Sequence, residues 1–186
     1  MNIAVILSNK NLQITCDCIK VFQQSNLIDA IVAVAPEEEQ DALEELLEQA
    51  DISKYADFAP SADTRQLSVY AGLATAREVV DWYEVPAEIG GYIQVGVRDE
   101  IEDPQDLVVI YPAGKACADS DQIARGIECA TEAEGAFIRL SPKNVLEVYE
   151  LDRLLAIYDG MLGTEWNNAA DSVQIAVSHG MDVREC

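Results

Sequence analysis

Along most of the chain, short continuous apolar runs alternate with stretches of helical period. Residues 3–7 are wholly apolar over the length of a buried strand, and residues 12–24 place Leu12, Ile14, Cys16, Ile19, Val21 and Phe22 at roughly helical spacing. Residues 28–35 (IDAIVAVA) repeat the strand signature with β-branched enrichment. Pro36 and three glutamates then open a second helix reaching about Gln49, with proline and acids in the first turn, where a missing N–H is harmless and the helix dipole favours negative charge. A short strand at 56–59 leads to a helix at 65–80 that Ser61 or Asp63 would cap, and residues 107–111 (LVVIY) form a strong buried strand broken by Pro112, Ala113 and Gly114.

The pattern continues with a helix that Ser120 caps and Gly135 stops, then a strand at 136–140. Ser141 and Pro142 are expected to open one long helix ending near Leu162. Asn168 would cap another helix through His179, with Gly180 as its stop and a last short strand at 181–184. Residues 85–106, with Gly90-Gly91 and an alternating Tyr-Ile-Gln-Val-Gly-Val, suggest a short strand or hairpin before an acidic loop. Strands alternating with helices predict a single three-layer α/β domain over residues 1–186, with a mainly parallel sheet covered on both faces. Ligands of such sheets bind beyond the carboxyl ends of the strands, which directs attention to residues 8–12, 35–36, 60–68 and 112–117.

Charge narrows the partners. With 12 Lys+Arg against 34 Asp+Glu among 186 residues, the net charge is -22 and no basic cluster exists to displace counterions from a polyanion, so nucleic acid is excluded as an expected partner. No apolar run approaches the roughly 20 residues of a membrane span, and the N-terminal run is too short for a signal-peptide core. A cytoplasmic location is expected. The five cysteines, Cys16, Cys18, Cys117, Cys129 and Cys186, lack C-x-x-C spacing, and are read as reduced thiols without a zinc site or disulfide framework.

The stretch from Thr64 to Ala76, TRQLSVYAGLATA, carries the most specific motif. Its Arg65-x-x-Ser68-Val69-x-x-Gly72-Leu73 at a helix start resembles a nucleotide-contacting signature of the 2-C-methyl-D-erythritol 4-phosphate cytidylyltransferase family, and the order of elements is similar across most of the chain. The resemblance implies a nucleotidyltransferase, nucleotide-diphospho-sugar transferase-like fold with a Rossmann-like core. The family reaction joins CTP and methylerythritol phosphate into CDP-methylerythritol with release of pyrophosphate, in isoprenoid biosynthesis. The family's serine at the position of Ser68 contacts the cytidine nucleotide.

Other family features depart. The Gly-rich phosphate turn is replaced by Leu7-Ser8-Asn9-Lys10-Asn11-Leu12-Gln13, without glycine. The family's metal-binding aspartate after the next hydrophobic strand falls on Pro112, which offers magnesium no oxygen side chain, and Lys115 stands where an arginine would be. The dimer-forming β-arm is shortened into residues 140–145, so family-type dimerisation is not expected. Asp171 matches the acid before the last helix, preceded by Ala170. On this resemblance Ser8, Lys10, Arg65, Ser68 and Lys115 are the candidate nucleotide-binding residues, Asp171 is the candidate metal ligand, and no catalytic residue is assigned. The departures imply a catalytically degenerate relative that binds a nucleotide such as CTP or regulates. The alternatives are an active, magnesium-dependent nucleotidyltransferase with an altered site, and an acidic interaction protein without nucleotide chemistry. No cofactor other than magnesium in an active enzyme is implied. His179, the sole histidine, sits before Gly180 at a helix end, where a cation complements the dipole.

Overall fold

The computed structural model describes residues 1–84, 105–141, 144–162 and 171–186. The short strand or hairpin expected at 85–106 falls largely, and the cap expected at Asn168 wholly, on residues outside these. The elements in chain order are β1 (Asn2–Leu7), α1 (Leu12–Gln24), β2 (Ala30–Ala35), α2 (Glu37–Gln49), β3 (Tyr55–Pro60), α3 (Arg65–Glu84), β4 (Leu107–Pro112), α4 (Ser120–Glu132), β5 (Gly135–Arg139), β6 (Val145–Glu150), α5 (Leu151–Gly160), α6 (Ser172–Ser178) and β7 (Val183–Glu185).

Seven strands form one sheet in the order β3-β2-β1-β4-β6-β5-β7. All neighbours run parallel except β6, which is antiparallel to both β4 and β5. The sheet is thus mainly parallel, as its apolar runs predict, with side chains buried on both faces. Cys16, Ile19 and Phe22 of α1, Leu43 and Leu47 of α2, and Ile123 and Ile127 of α4 pack on one face. Val69, Leu73, Ala76 and Val80 of α3, Leu151, Leu154 and Tyr158 of α5, and Ile175 of α6 cover the other.

Three expectations are corrected. The long helix expected from Ser141 does not form. Residues 145–150 are β6, and α5 begins only at Leu151, where the Glu150 carboxylate accepts the Asp152 and Arg153 N–H groups as its cap. Leu146 and Val148 face α4 while Glu147 and Tyr149 face the opposite layer, and the open edges of β4 and β5 recruit this alternating segment against its helical reading. The helix caps shift by one to three residues: Asp119, in a capping box with Gln122, starts α4 in place of Ser120, Thr64 accepts the Leu67 N–H at the start of α3, and Asp171 caps α6. Cys129 and Cys186 form a disulfide, contrary to the reading of five reduced thiols; the parallel pairing of β7 with β5 carries the chain end to α4 across 57 residues of sequence. Cys16 and Cys18 are buried free thiols, and Cys18 Sγ lies 2.8 Å from Cys117 Sγ.

The approach of α3 to the sheet depends on Gly72. A Cβ there would lie 2.5 Å from Val5 Cγ1 and 2.9 Å from Val34 Cγ2. Both valines are β-branched side chains locked on central strands, with little room to turn away. Gly72→Ala is expected to cost about 1–2 kcal/mol in urea denaturation, because overpacking of a tight core outweighs the roughly 1 kcal/mol that alanine gains in helix propensity. A variant at least as stable as the wild type would show that α3 slides freely on the sheet.

Candidate functional site

A cleft of about 450 Å³ opens beyond the carboxyl ends of β1 and β2, at the first turns of α2 and α3. Leu7, Val34 and Pro36 give it an apolar floor, and Ser8, Lys10, Glu39, Ser61, Arg65 and Ser68 supply its polar groups. Ser8, Lys10, Arg65 and Ser68, drawn from a turn and a helix more than fifty residues apart, therefore meet on one cavity. Lys115 and Asp171 do not line it. Lys115 is exposed on the connection after β4, and Asp171 Oδ1 accepts the Gln174 N–H at 3.0 Å as the cap of α6.

The turn between β1 and α1 holds itself together. Ser8 N–H donates to the Val34 carbonyl at 2.9 Å, Asn9 N–H to Thr15 Oγ1 at 2.9 Å, and Asn11 N–H to Asn9 Oδ1 at 3.0 Å. Gln13 N–H donates to Asn11 Oδ1 at 3.1 Å, and the Asn9 side-chain amide reaches the Ala113 carbonyl at 3.1 Å. A phosphate cradle presents free backbone N–H groups to an anion. Here the side chains of Thr15, Asn9 and Asn11 occupy the N–H groups of Asn9, Asn11 and Gln13, so the anion-binding capacity of this corner rests mainly on Lys10, whose ammonium is exposed.

Ser68 is likewise engaged. Its hydroxyl accepts the Ala62 N–H at 2.9 Å and donates to the Ala62 carbonyl at 3.3 Å, bracing the 61–64 turn, whose Ser61 N–H donates to the Ala35 carbonyl at 2.9 Å. Ser68 shapes the rim of the cleft as well as facing it.

Arg65 reaches from the start of α3 to Glu147 on β6, with Nη2 3.1 Å from Oε1. Glu147 is 2% exposed and Arg65 33%, so the pair joins the cleft to the core. Glu147 Oε2 accepts the Tyr149 hydroxyl at 3.2 Å, and Tyr158 donates to Ser172 Oγ at 3.2 Å in the same layer. Burial raises the Glu147 carboxyl above its ordinary value; Arg65 is the strongest opposing influence, and the Asp171 charge adds to the rise. Sequence reasoning missed Glu147 because the helix expected over its segment made it a surface acid. The period-two pattern Leu146, Val148 against Glu147, Tyr149 was the available signal.

Magnesium needs several oxygen ligands. Pro112 offers none from its side chain, the Glu147 carboxylate is committed to Arg65 and Tyr149, and Asp171 lies on the first turn of α6 outside the cleft lining. Among the described residues no group of three or more His, Cys, Asp or Glu side chains converges as a metal ion would require. These residues do not fit the ion.

The chain resembles known proteins in sequence and in fold. No family model matches the chain. A 2-C-methyl-D-erythritol 4-phosphate cytidylyltransferase of Clostridium botulinum (strain Langeland, type F) is 24% identical over 142 residues, 76% of this chain and 51% of that protein. The chain thus spans about half the length of the curated relative it matches. Among solved structures, 4-diphosphocytidyl-2C-methyl-D-erythritol synthase of Anaerococcus prevotii DSM 20548 superposes with a TM-score of 0.71 at 14% identity, over 100% of this chain and 86% of that one. The 2-C-methyl-D-erythritol 4-phosphate cytidylyltransferase of Thermus thermophilus gives 0.60 at 13% identity, over 100% and 88%. These structures establish the nucleotide-diphospho-sugar transferase-like fold. Among the described residues no helix is long and apolar enough to cross a membrane.

The carboxyl of Glu147 makes stability depend on pH with a definite sign. Its proton is held more tightly in the fold than in the unfolded chain, so its contribution is full below the ordinary glutamate value of 4.5 and is lost as pH rises through the raised folded value. Relative to the wild type, Glu147→Gln is therefore expected to gain stability as pH rises from about 4.5 to about 8, as urea denaturation at several pH values would record. A variant that instead loses ground as pH rises would mean that Arg65 outweighs the burial.

Proposed function

We propose that this chain, a divergent relative of the 2-C-methyl-D-erythritol 4-phosphate cytidylyltransferases, binds a cytidine nucleotide in the cleft between the β1–α1 turn and α3, and acts by binding because magnesium-assisted nucleotidyl transfer has been lost. One observation carries this reading: Lys10, Arg65, Ser8 and Ser68 face one cavity large enough for a nucleoside, while the turn beside them engages the Asn9, Asn11 and Gln13 N–H groups internally. The apolar floor of Leu7, Val34 and Pro36 suits the face of a base, and Lys10 at the exposed turn suits a phosphate. Without a carboxylate at Pro112, the charge that develops on a departing pyrophosphate would lack its metal counter-ion. The relative's transfer reaction is therefore not carried over.

The acidic interaction protein remains a second reading, favoured by the commitment of the Ser68 hydroxyl to Ala62 and by the net charge of -22. Calorimetric titration with CTP separates the two. Binding is expected with an affinity that magnesium leaves unchanged, and Lys10→Ala is expected to weaken it about tenfold, the size of one charge-assisted hydrogen bond. Pyrophosphate release in the presence of magnesium would restore a transferase, and an absence of heat at every condition would leave the interaction protein.

A further inference from the structure

We propose that Glu147 determines the specificity of the cleft: by compensating Arg65 it withholds that charge from phosphate anions and fixes the guanidinium fork as a donor to an uncharged acceptor, such as a nucleobase carbonyl. The inference rests on the cleft being the ligand site, and not on the ligand being cytidine.

The argument begins with mobility. Glu147 is anchored in the interior of β6, opposite Ile110 of β4 and Phe137 of β5, and cannot follow a ligand outward. Arg65 lies between it and the cavity, one-third exposed. A guanidinium carries five N–H donors in one rigid plane, so holding Nη2 at one end and the side-chain stem on α3 at the other narrows the directions open to the rest. Among the described residues the Nη2–Oε1 bond is the single hydrogen bond that the Arg65 side chain makes, which leaves Nε and Nη1 as donors of restricted orientation.

Charge gives the second step. The cavity is lined by two cations, Lys10 and Arg65, and one carboxylate, Glu39, while Glu147 lies directly behind Arg65. Two positive charges face two negative ones in a chain whose net charge is already -22, so the cleft offers a polyphosphate little attraction beyond the local charge of Lys10. An uncharged hydrogen-bond acceptor meets no such penalty and benefits from the fixed fork.

Loss of the Glu147 charge should therefore move two probes in opposite directions. Inorganic pyrophosphate and, separately, cytidine would be titrated without metal into the wild type and Glu147→Gln, at a pH above the raised Glu147 value, where the carboxyl is ionised. Pyrophosphate is expected to bind the variant about tenfold more tightly and cytidine severalfold more weakly. Unchanged or weaker pyrophosphate binding overturns the proposal, and so does a shift of the same sign for both probes, which a general structural role would produce. If the wild type binds neither cytidine nor CTP, the nucleotide reading falls while the pyrophosphate comparison still decides the role of Glu147. Nitrogen NMR of the Arg65 guanidinium in the wild type serves if the variant does not fold. Two resolved Nη resonances are expected from hindered rotation, and one averaged resonance overturns the fixed fork.

Discussion

Everything at the cleft depends on how closely α3 lies against the centre of the sheet. Gly72 permits that approach, since any side chain there would meet Val5 and Val34 within about 3 Å. One turn earlier on the helix stands Ser68, and Arg65 lies at its first residue. Lifting α3 by the width of a methyl group would move both away from Ala62 and Glu147. The turn that Ser68 braces would open, and the guanidinium would lose the carboxylate 3.1 Å away. Packing inside the core thus sets the geometry at the rim.

A buried ion pair is a weak device for stability, because desolvating two charges offsets most of what their attraction returns. The Arg65–Glu147 pair is better understood as a constraint on position. It crosses from α3 to β6, elements far apart in sequence, and it spans the parallel and antiparallel parts of the sheet. Tyr149 holds the second carboxylate oxygen, so the acceptor is itself oriented. The arrangement makes Arg65 a directed donor and no longer a free charge.

The layered architecture was legible because buried parallel strands leave continuous apolar runs, and residues 3–7, 28–35 and 107–111 stand out on that ground. Arg65 and Ser68 came into view through the family resemblance that their motif carries. Glu147 was not, since its segment has Leu, Val and Tyr at positions compatible with either period, and only the free edges of β4 and β5 decide in favour of a strand. The Cys129–Cys186 bond was hidden for a related reason: the proximity arises from the pairing of β7 with β5, a contact that no local pattern announces. Lys115 and Asp171 were placed by likeness alone, and α/β loops of similar order need not converge on one cavity.

The glycine-free turn and the compensated arginine point the same way. A phosphate site needs free donors, and the turn from Ser8 to Gln13 directs those of Asn9, Asn11 and Gln13 to its own side chains and to Thr15. A phosphate site also needs uncompensated charge, and Glu147 neutralises that of Arg65. Each change alone could be offset by the other, because a free arginine can replace a lost cradle. Together they leave Lys10 as the one uncompensated cation among the residues lining the cleft and shift its selectivity from the phosphates of a ligand toward its uncharged portion.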